Sequence, residues 1–286
     1  MKSIFTFFLL AGFSSTGFSQ SHSCCTASAT GPSDPTVQFA SFSTQETFKM
    51  SHDEPQPFEG EKPAAGSVIT YPTPDGKTAS AYFIKSEKPS ATTLFVIHEW
   101  WGLNDYIKQE AERFATELKN VNVMALDLYD GKVATTRDSA GAYMGAVKTE
   151  RAQSIIKGAI AFSGEKSTIL TIGWCFGGGW SLQSSLLAGK QAGGCVLYYG
   201  QPESDPEKLK NLNADVLGIY ASNDKWINKE MIAGFEAAMK TAGKNVTSFW
   251  YEADHAFANP SNPKHNKEFA EDAHKKALDF LVKRIK

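Results

Sequence analysis

The chain is poor in cysteine. Four cysteines in 286 residues do not suggest a disulfide framework in a chain of this length. It also lacks any excess of positive charge: 29 Lys and Arg stand against 31 Asp and Glu, a formal net charge of −2, which offers no basic surface for nucleic acid. There is no internal repeat. The apolar run IFTFFLLAGF near the N-terminus is about half the roughly 20 residues that a membrane-spanning helix needs, so no membrane span is expected. Two catalytic motifs are missing as well. No G-x-S-x-G is present, its nearest approach being GFSSTG close to that apolar run, and the H-E-x-x-H of zinc peptidases fails because Gly102 stands where the second histidine is required after His98-Glu99. Outside the short segment SHSCC (His22, Cys24, Cys25), the histidines and carboxylates show no metal-ligand spacing. No metal and no cofactor is therefore expected.

What is present begins with Lys2, the apolar run and the small, polar SSTGFSQ, which together read as a signal peptide over residues 1–20 and predict a periplasmic or secreted protein. Lipoprotein anchoring at Cys24 is the lesser reading, because Ser21-His22-Ser23 carries no apolar residue at the usual upstream position. Residues 21–60 are rich in Ser, Thr, Pro and Gln with little periodicity and read as a flexible N-terminal arm. Residues 61–286 then suit one domain.

From Ser67 onward strand-like and helix-like segments alternate. VITYP and ASAYFIK flank the turn Thr73-Pro74-Asp75-Gly76 as a hairpin, TTLFVI (92–97) reads as a central strand, and Asp105–Lys119 carries a helical apolar stripe through Ile107, Ala111, Phe114 and Leu118. Later strands are NVMALDL, the run ending at Ile172, CVLYYG, DVLGIYA and TSFWYE; helices are expected over 140–163 in two pieces, after the third of the glycines 177–179, over Lys229–Thr241 and from about Lys264. Such alternation predicts the α/β class: a single domain with a mostly parallel central sheet and helices on both faces. In such sheets chemistry gathers at the carboxyl ends of the strands.

The organising stretch is Gly173-Trp174-Cys175-Phe176-Gly177, a G-x-C-x-G form of the strand-to-helix turn that holds a nucleophile clear of its neighbours. A cysteine serving only as a small hydrophobe is the alternative. Asp224 follows the strand DVLGIYA and His255 follows TSFWYE, so nucleophile, acid and histidine come in the order of the α/β-hydrolases. Asp254 is a rival acid, but side chains of adjacent residues on an extended backbone point apart. In this reading His255 takes the Cys175 proton and Asp224 fixes the imidazole tautomer. The backbone N–H groups of Trp100 and Phe176 would form the oxyanion hole. Glu99, beside them, would either raise the thiol pKa or accept its proton. Trp101, Trp174 and Phe257 would give the site an aromatic, substrate-binding wall, although such residues more often belong to the core.

HEWWG, DLYDGK (127–132), GWCFGG, SNDKWI and DHAFANP, in this order, resemble the motifs of the dienelactone hydrolases, or carboxymethylenebutenolidases, over a similarity that runs from about Gly66 to the C-terminus. The resemblance implies an α/β-hydrolase fold, a Cys175–Asp224–His255 triad, and a Glu99 that interacts with the resting thiol and helps to produce thiolate when substrate binds. It also exposes a departure. Where those enzymes hold the substrate carboxylate with an arginine four residues beyond the catalytic histidine, this chain has Asn259, and an amide cannot form the bidentate clamp. The expected activity is cleavage of a lactone or small activated ester, with Asn259 near the substrate and little preference for an anionic one. Two other classes stay open: another acyl esterase or peptidase on the same fold, and a secreted binding protein without catalysis.

Overall fold

A computed structural model describes residues 34–285. The expected signal peptide, the SHSCC segment and the first part of the arm lie outside the described residues. The central sheet has eight strands: β1 (Ser67–Pro72), β2 (Thr78–Ile84), β3 (Thr92–Ile97), β4 (Asn122–Leu126), β5 (Thr168–Trp174), β6 (Ala192–Tyr198), β7 (Val216–Ala221) and β8 (Val246–Tyr251). Their spatial order is β1-β2-β4-β3-β5-β6-β7-β8. The β1–β2 hairpin and the β2–β4 pairing are antiparallel, and every other pairing is parallel.

Burial follows from this order. The middle strands β3, β5 and β7 are buried at every position, which requires cover on both faces and explains why they read as unbroken apolar or β-branched runs. Helix α3 (Asp105–Leu118) packs against the last helix, α9 (Lys267–Val282), while α5 (Thr149–Ser163) packs against α6 (Phe176–Ala188); α4 (Arg137–Ala146) precedes α5, and α8 (Lys229–Thr241) links β7 to β8. The single-turn α7 (Pro206–Leu209) is not foreshadowed by any periodicity. Its Asp205 cap and Pro206 at the first helical position set it.

The arm is where expectation and structure part. Residues 35–41 form α1 (Pro35–Ser41) and residues 46–51 form α2 (Glu46–Ser51), joined by a 3₁₀ turn over Phe42–Thr44. Among the described residues before β1, the longest irregular stretch is 53–66. Asp34 caps α1 by accepting the Thr36 N–H at 2.9 Å, and Phe39, Phe42 and Phe48 then meet ring to ring at 5.6 to 5.8 Å. Those three rings are enough to dock a segment whose composition is otherwise polar, with α1 lying on α6 and α2 on α4. None of the described helices is long and apolar enough to cross a membrane.

Candidate active site

The elbow is built by exclusion. Between the end of β5 and the start of α6, Cys175 sits at φ 55°, ψ −119°, a left-handed conformation that costs a non-glycine residue on the order of 1–3 kcal/mol. Its surroundings hold it there. The Cys175 N–H donates to the Tyr198 carbonyl at 3.0 Å, and the Gly178 N–H donates to the Cys175 carbonyl at 3.0 Å. A Cβ at Gly173 would lie 2.1 Å from the Gly177 carbonyl oxygen, and one at Gly177 would lie 2.3 Å from that of Ile97. Both glycines are thus demanded by backbone packed against backbone.

Loops after β7 and β8 bring the partners. His255 Nδ1 lies 2.5 Å from Asp224 Oδ2, and Asp224 Oδ1 accepts the N–H groups of Trp226 (2.9 Å) and Ile227 (3.0 Å) from its own loop. Asp254 is exposed; the acid that meets His255 is Asp224. Burial alone would raise the Asp224 pKa, but His255 and the two N–H donors outweigh it and hold the carboxyl below its ordinary value. Burial likewise disfavours imidazolium, yet Asp224 and the Cys175 sulfur together keep His255 well above the ordinary histidine value. Cys175 is 1% exposed. Burial pushes its thiol up, His255 opposes this, and Glu99 adds to the rise. The His255 Nε2 and the sulfur are close enough for each to shift the other's titration, although His255 Nε2 has no partner in hydrogen-bond geometry.

Glu99 follows β3 and is buried. Its Oε1 accepts the Tyr199 hydroxyl at 3.2 Å and its Oε2 accepts the Asn259 amide. Burial raises its pKa to about 7 against the opposing pull of His255, Tyr199 and Asn259. Asn259 is fully engaged: its Oδ1 also takes the Ser261 N–H at 2.8 Å and the Ser261 hydroxyl at 2.7 Å. Trp100 is buried against Trp101, Phe48 and His52, while Phe176 opens α6 and stacks on His98 at 5.7 Å. His98 in turn ties two loops together, its Nδ1 on the Glu99 carbonyl at 2.6 Å and its Nε2 accepting the Leu128 N–H at 3.2 Å.

A cavity of about 220 Å³ opens beside Glu99, lined also by Trp101, Trp174, Tyr198, Asn259 and His265. Cys175 is not on its wall. Of the aromatic residues expected near substrate, Trp101 and Trp174 face this cavity, whereas Phe257 does not. Phe257 packs instead against Tyr199, Tyr251 and Phe269 at 5.1 to 6.5 Å, because its loop turns it into the core between β8 and α9. Arg137 donates to the His52 carbonyl and pairs with Asp53.

Two residues at the site were not legible beforehand. Tyr199 directly follows β6, where the carboxyl-end rule already points, but in CVLYYG it passes for one more strand residue. His52 had no such signal. It comes from the end of α2, in the supposed flexible arm, and its ring lies 5.1 Å from that of His255 and 4.4 Å from that of Trp100. Burial lowers its pKa to about 3, with His255 adding to the effect, so the imidazole is neutral.

A family model described as the dienelactone hydrolase family matches residues 79–285. The chain belongs to that family. It is accordingly a hydrolase, and specifically a carboxylic-ester hydrolase acting on a small molecule. A protein of Saccharolobus solfataricus named "Putative carboxymethylenebutenolidase" is 27% identical over 249 residues, covering 72% of this chain and 95% of that one. Among solved structures, the dienelactone hydrolase of Anabaena variabilis aligns with a TM-score of 0.56 at 15% identity, over 78% of this chain and 100% of its own. A dienelactone hydrolase-like promiscuous phosphotriesterase from metagenomic libraries aligns with a TM-score of 0.64 at 16% identity, over 78% and 100%. At these identities the structural likeness concerns the fold.

Proposed function

We propose that this dienelactone-hydrolase-family enzyme opens a lactone or cleaves a small activated ester through a thioester formed on Cys175. The observation that carries the reading is the Cys175 elbow facing a His255 already fixed by Asp224 at 2.5 Å. At rest the buried thiol keeps its proton. When a carbonyl enters, His255 Nε2 takes that proton, the sulfur attacks the carbonyl carbon, and the oxyanion is met by the N–H groups of Trp100 and Phe176. Collapse expels the alkoxide, which recovers the proton from the imidazolium; water, deprotonated by the same imidazole, then releases the acid. Glu99 biases the first step. A Glu99 carboxylate disfavours a thiolate beside it and so helps to keep the resting thiol protonated, whereas a protonated Glu99 removes that repulsion and eases passage of the thiol proton to His255.

The leader, Lys2 followed by an apolar run and small polar residues, supports export, with the enzyme acting in the periplasm or outside the cell; N-terminal sequencing of the mature protein from cell fractions tests this, and an intact Lys2 in a cytoplasmic fraction overturns it. For the chemistry, p-nitrophenyl esters and lactones are compared on the native enzyme and Cys175→Ala. A slow ester should leave an acyl adduct on Cys175 by mass spectrometry, and the variant should lose activity by on the order of 10³-fold or more. Full turnover by Cys175→Ala would end the proposal.

A further inference from the structure

Around the sulfur of Cys175 the structure gathers more lone pairs than protons. One ring nitrogen of His52, one of His255 and the Cys175 Sγ lie within 4.8 Å of one another, and all three residues are buried. Each imidazole has its Nδ1 occupied: that of His255 by Asp224 at 2.5 Å, that of His52 by the Phe48 carbonyl at 2.8 Å. Those acceptors fix the proton on Nδ1 in both rings, so both Nε2 atoms present lone pairs. Neither Nε2 has a hydrogen-bond partner among the described residues. A single S–H proton cannot serve two such nitrogens, and a buried polar atom left without a partner costs roughly 1–3 kcal/mol.

We propose that His52, Cys175 and His255 form a binding site for a soft divalent cation of the zinc class, which caps the thiol. Two imidazole nitrogens and a thiolate are a preferred donor set for zinc, and a fourth position is left for water. Histidine ligands characteristically anchor the far nitrogen on a carboxylate or a backbone carbonyl, as both do in this site. Zinc distances of about 2.0–2.3 Å place donors about 3.3–3.7 Å apart, so the donors close by on the order of 1 Å. The movement falls to the end of α2, where His52 begins irregular chain. On binding, the Cys175 proton leaves to solvent, the metal–sulfur bond replaces the S–H bond, and both imidazoles stay neutral. His52 comes from the N-terminal segment and the other two ligands from the catalytic domain, so the ion would clip that segment over the nucleophile.

Binding stands independently of the proposed chemistry; only the inhibition of hydrolysis rests on Cys175 as nucleophile. The test uses the full chain carrying Cys24→Ser and Cys25→Ser, so that the SHSCC thiols do not contribute. Cobalt(II) should produce a thiolate-to-metal charge-transfer band that zinc displaces, and zinc should slow iodoacetamide alkylation of Cys175 at least about tenfold, reversed by EDTA. His52→Gln should weaken zinc binding by at least about tenfold, as should His255→Gln, with circular dichroism and melting confirming that each variant is folded. Absence of the charge-transfer band, alkylation indifferent to zinc, or unchanged affinity in both folded variants overturns the site. If zinc protects the thiol while ester hydrolysis continues, the metal site stands and the assignment of Cys175 as nucleophile falls.

Discussion

The elbow at Cys175 and the segment over residues 34–52 lie on the same few side chains, yet one is written plainly in the sequence and the other is not. The elbow is specified by what cannot be there. Backbone atoms approach Gly173 and Gly177 so closely that every sequence forming this turn must leave small residues at fixed spacing. The N-terminal segment is specified by what happens to be near. Phe48 packs on Phe39, Phe42, His52, Trp100 and Trp226 at 4.4 to 5.8 Å, partners that reach along the chain from Phe39 to Trp226, and no local pattern encodes such contacts. Steric exclusion leaves a motif, whereas docking leaves only composition, and the composition of 21–60 is polar.

Breaking the first region should have the largest effect. Gly177→Ala places a Cβ 2.3 Å from the Ile97 carbonyl oxygen and 2.4 Å from that of His98, backbone atoms that cannot rotate away. The expected outcome is a loss on the order of 4 kcal/mol or more, read as a collapse of the urea midpoint or as insoluble protein. A variant melting within a few degrees of native would mean that the turn is softer than its geometry indicates.

Breaking the second region should cost less and be local. Phe48→Ala removes a fully buried ring, a change worth about 3–5 kcal/mol where the cavity cannot collapse. Because α2 ends on irregular chain, part of this cost can be escaped by undocking the segment. We expect Cys175 to be alkylated at least tenfold faster in Phe48→Ala while the midpoint of global unfolding moves by less than the full cavity cost. Hydrogen exchange should localise the change to residues 34–52. Equal loss of protection across the sheet would show the segment to be part of the core.

The same contrast explains how far the sequence could be read. The strands β3 and β5, the helix α8 and the hairpin β1–β2 follow directly from periodicity and turn residues, and Cys175, Asp224 and His255 follow from their places after strands. Glu99 was visible as a charge beside a thiol. Its state was not visible, because that depends on burial and on Tyr199 and Asn259 arriving from β6 and the β8 loop. Asn259 shows the same limit: its absence of positive charge could be read, but its commitment to Glu99 and Ser261 could not. His52 required a docking event that no spacing records.

The smallest effect sharpens this point about Glu99. Its pKa is raised by burial from 4.5 to about 7, so between these values the folded protein holds a proton that the unfolded chain has released. Stability should therefore fall as pH rises from about 4.5 to about 7 and then level off, by on the order of 2–3 kcal/mol from this group. Glu99→Gln removes the titration. The urea midpoints of native protein and variant, measured at pH 5 and pH 8, should show a decline in the native protein that is reduced in the variant. Identical declines would assign the pH dependence to other groups.

A buried carboxyl whose pKa is raised to about 7, beside the Cys175 thiol and bordering a cavity, also makes the resting protein a mixture. Near neutral pH both the protonated and the ionised form of Glu99 are populated. These are two chemical species with one fold, differing by a full charge beside the Cys175 thiol. A single preparation is then a titrating population, and its ratio of species is set by the surrounding medium. The ratio then shifts with the acidity of whatever medium the protein occupies.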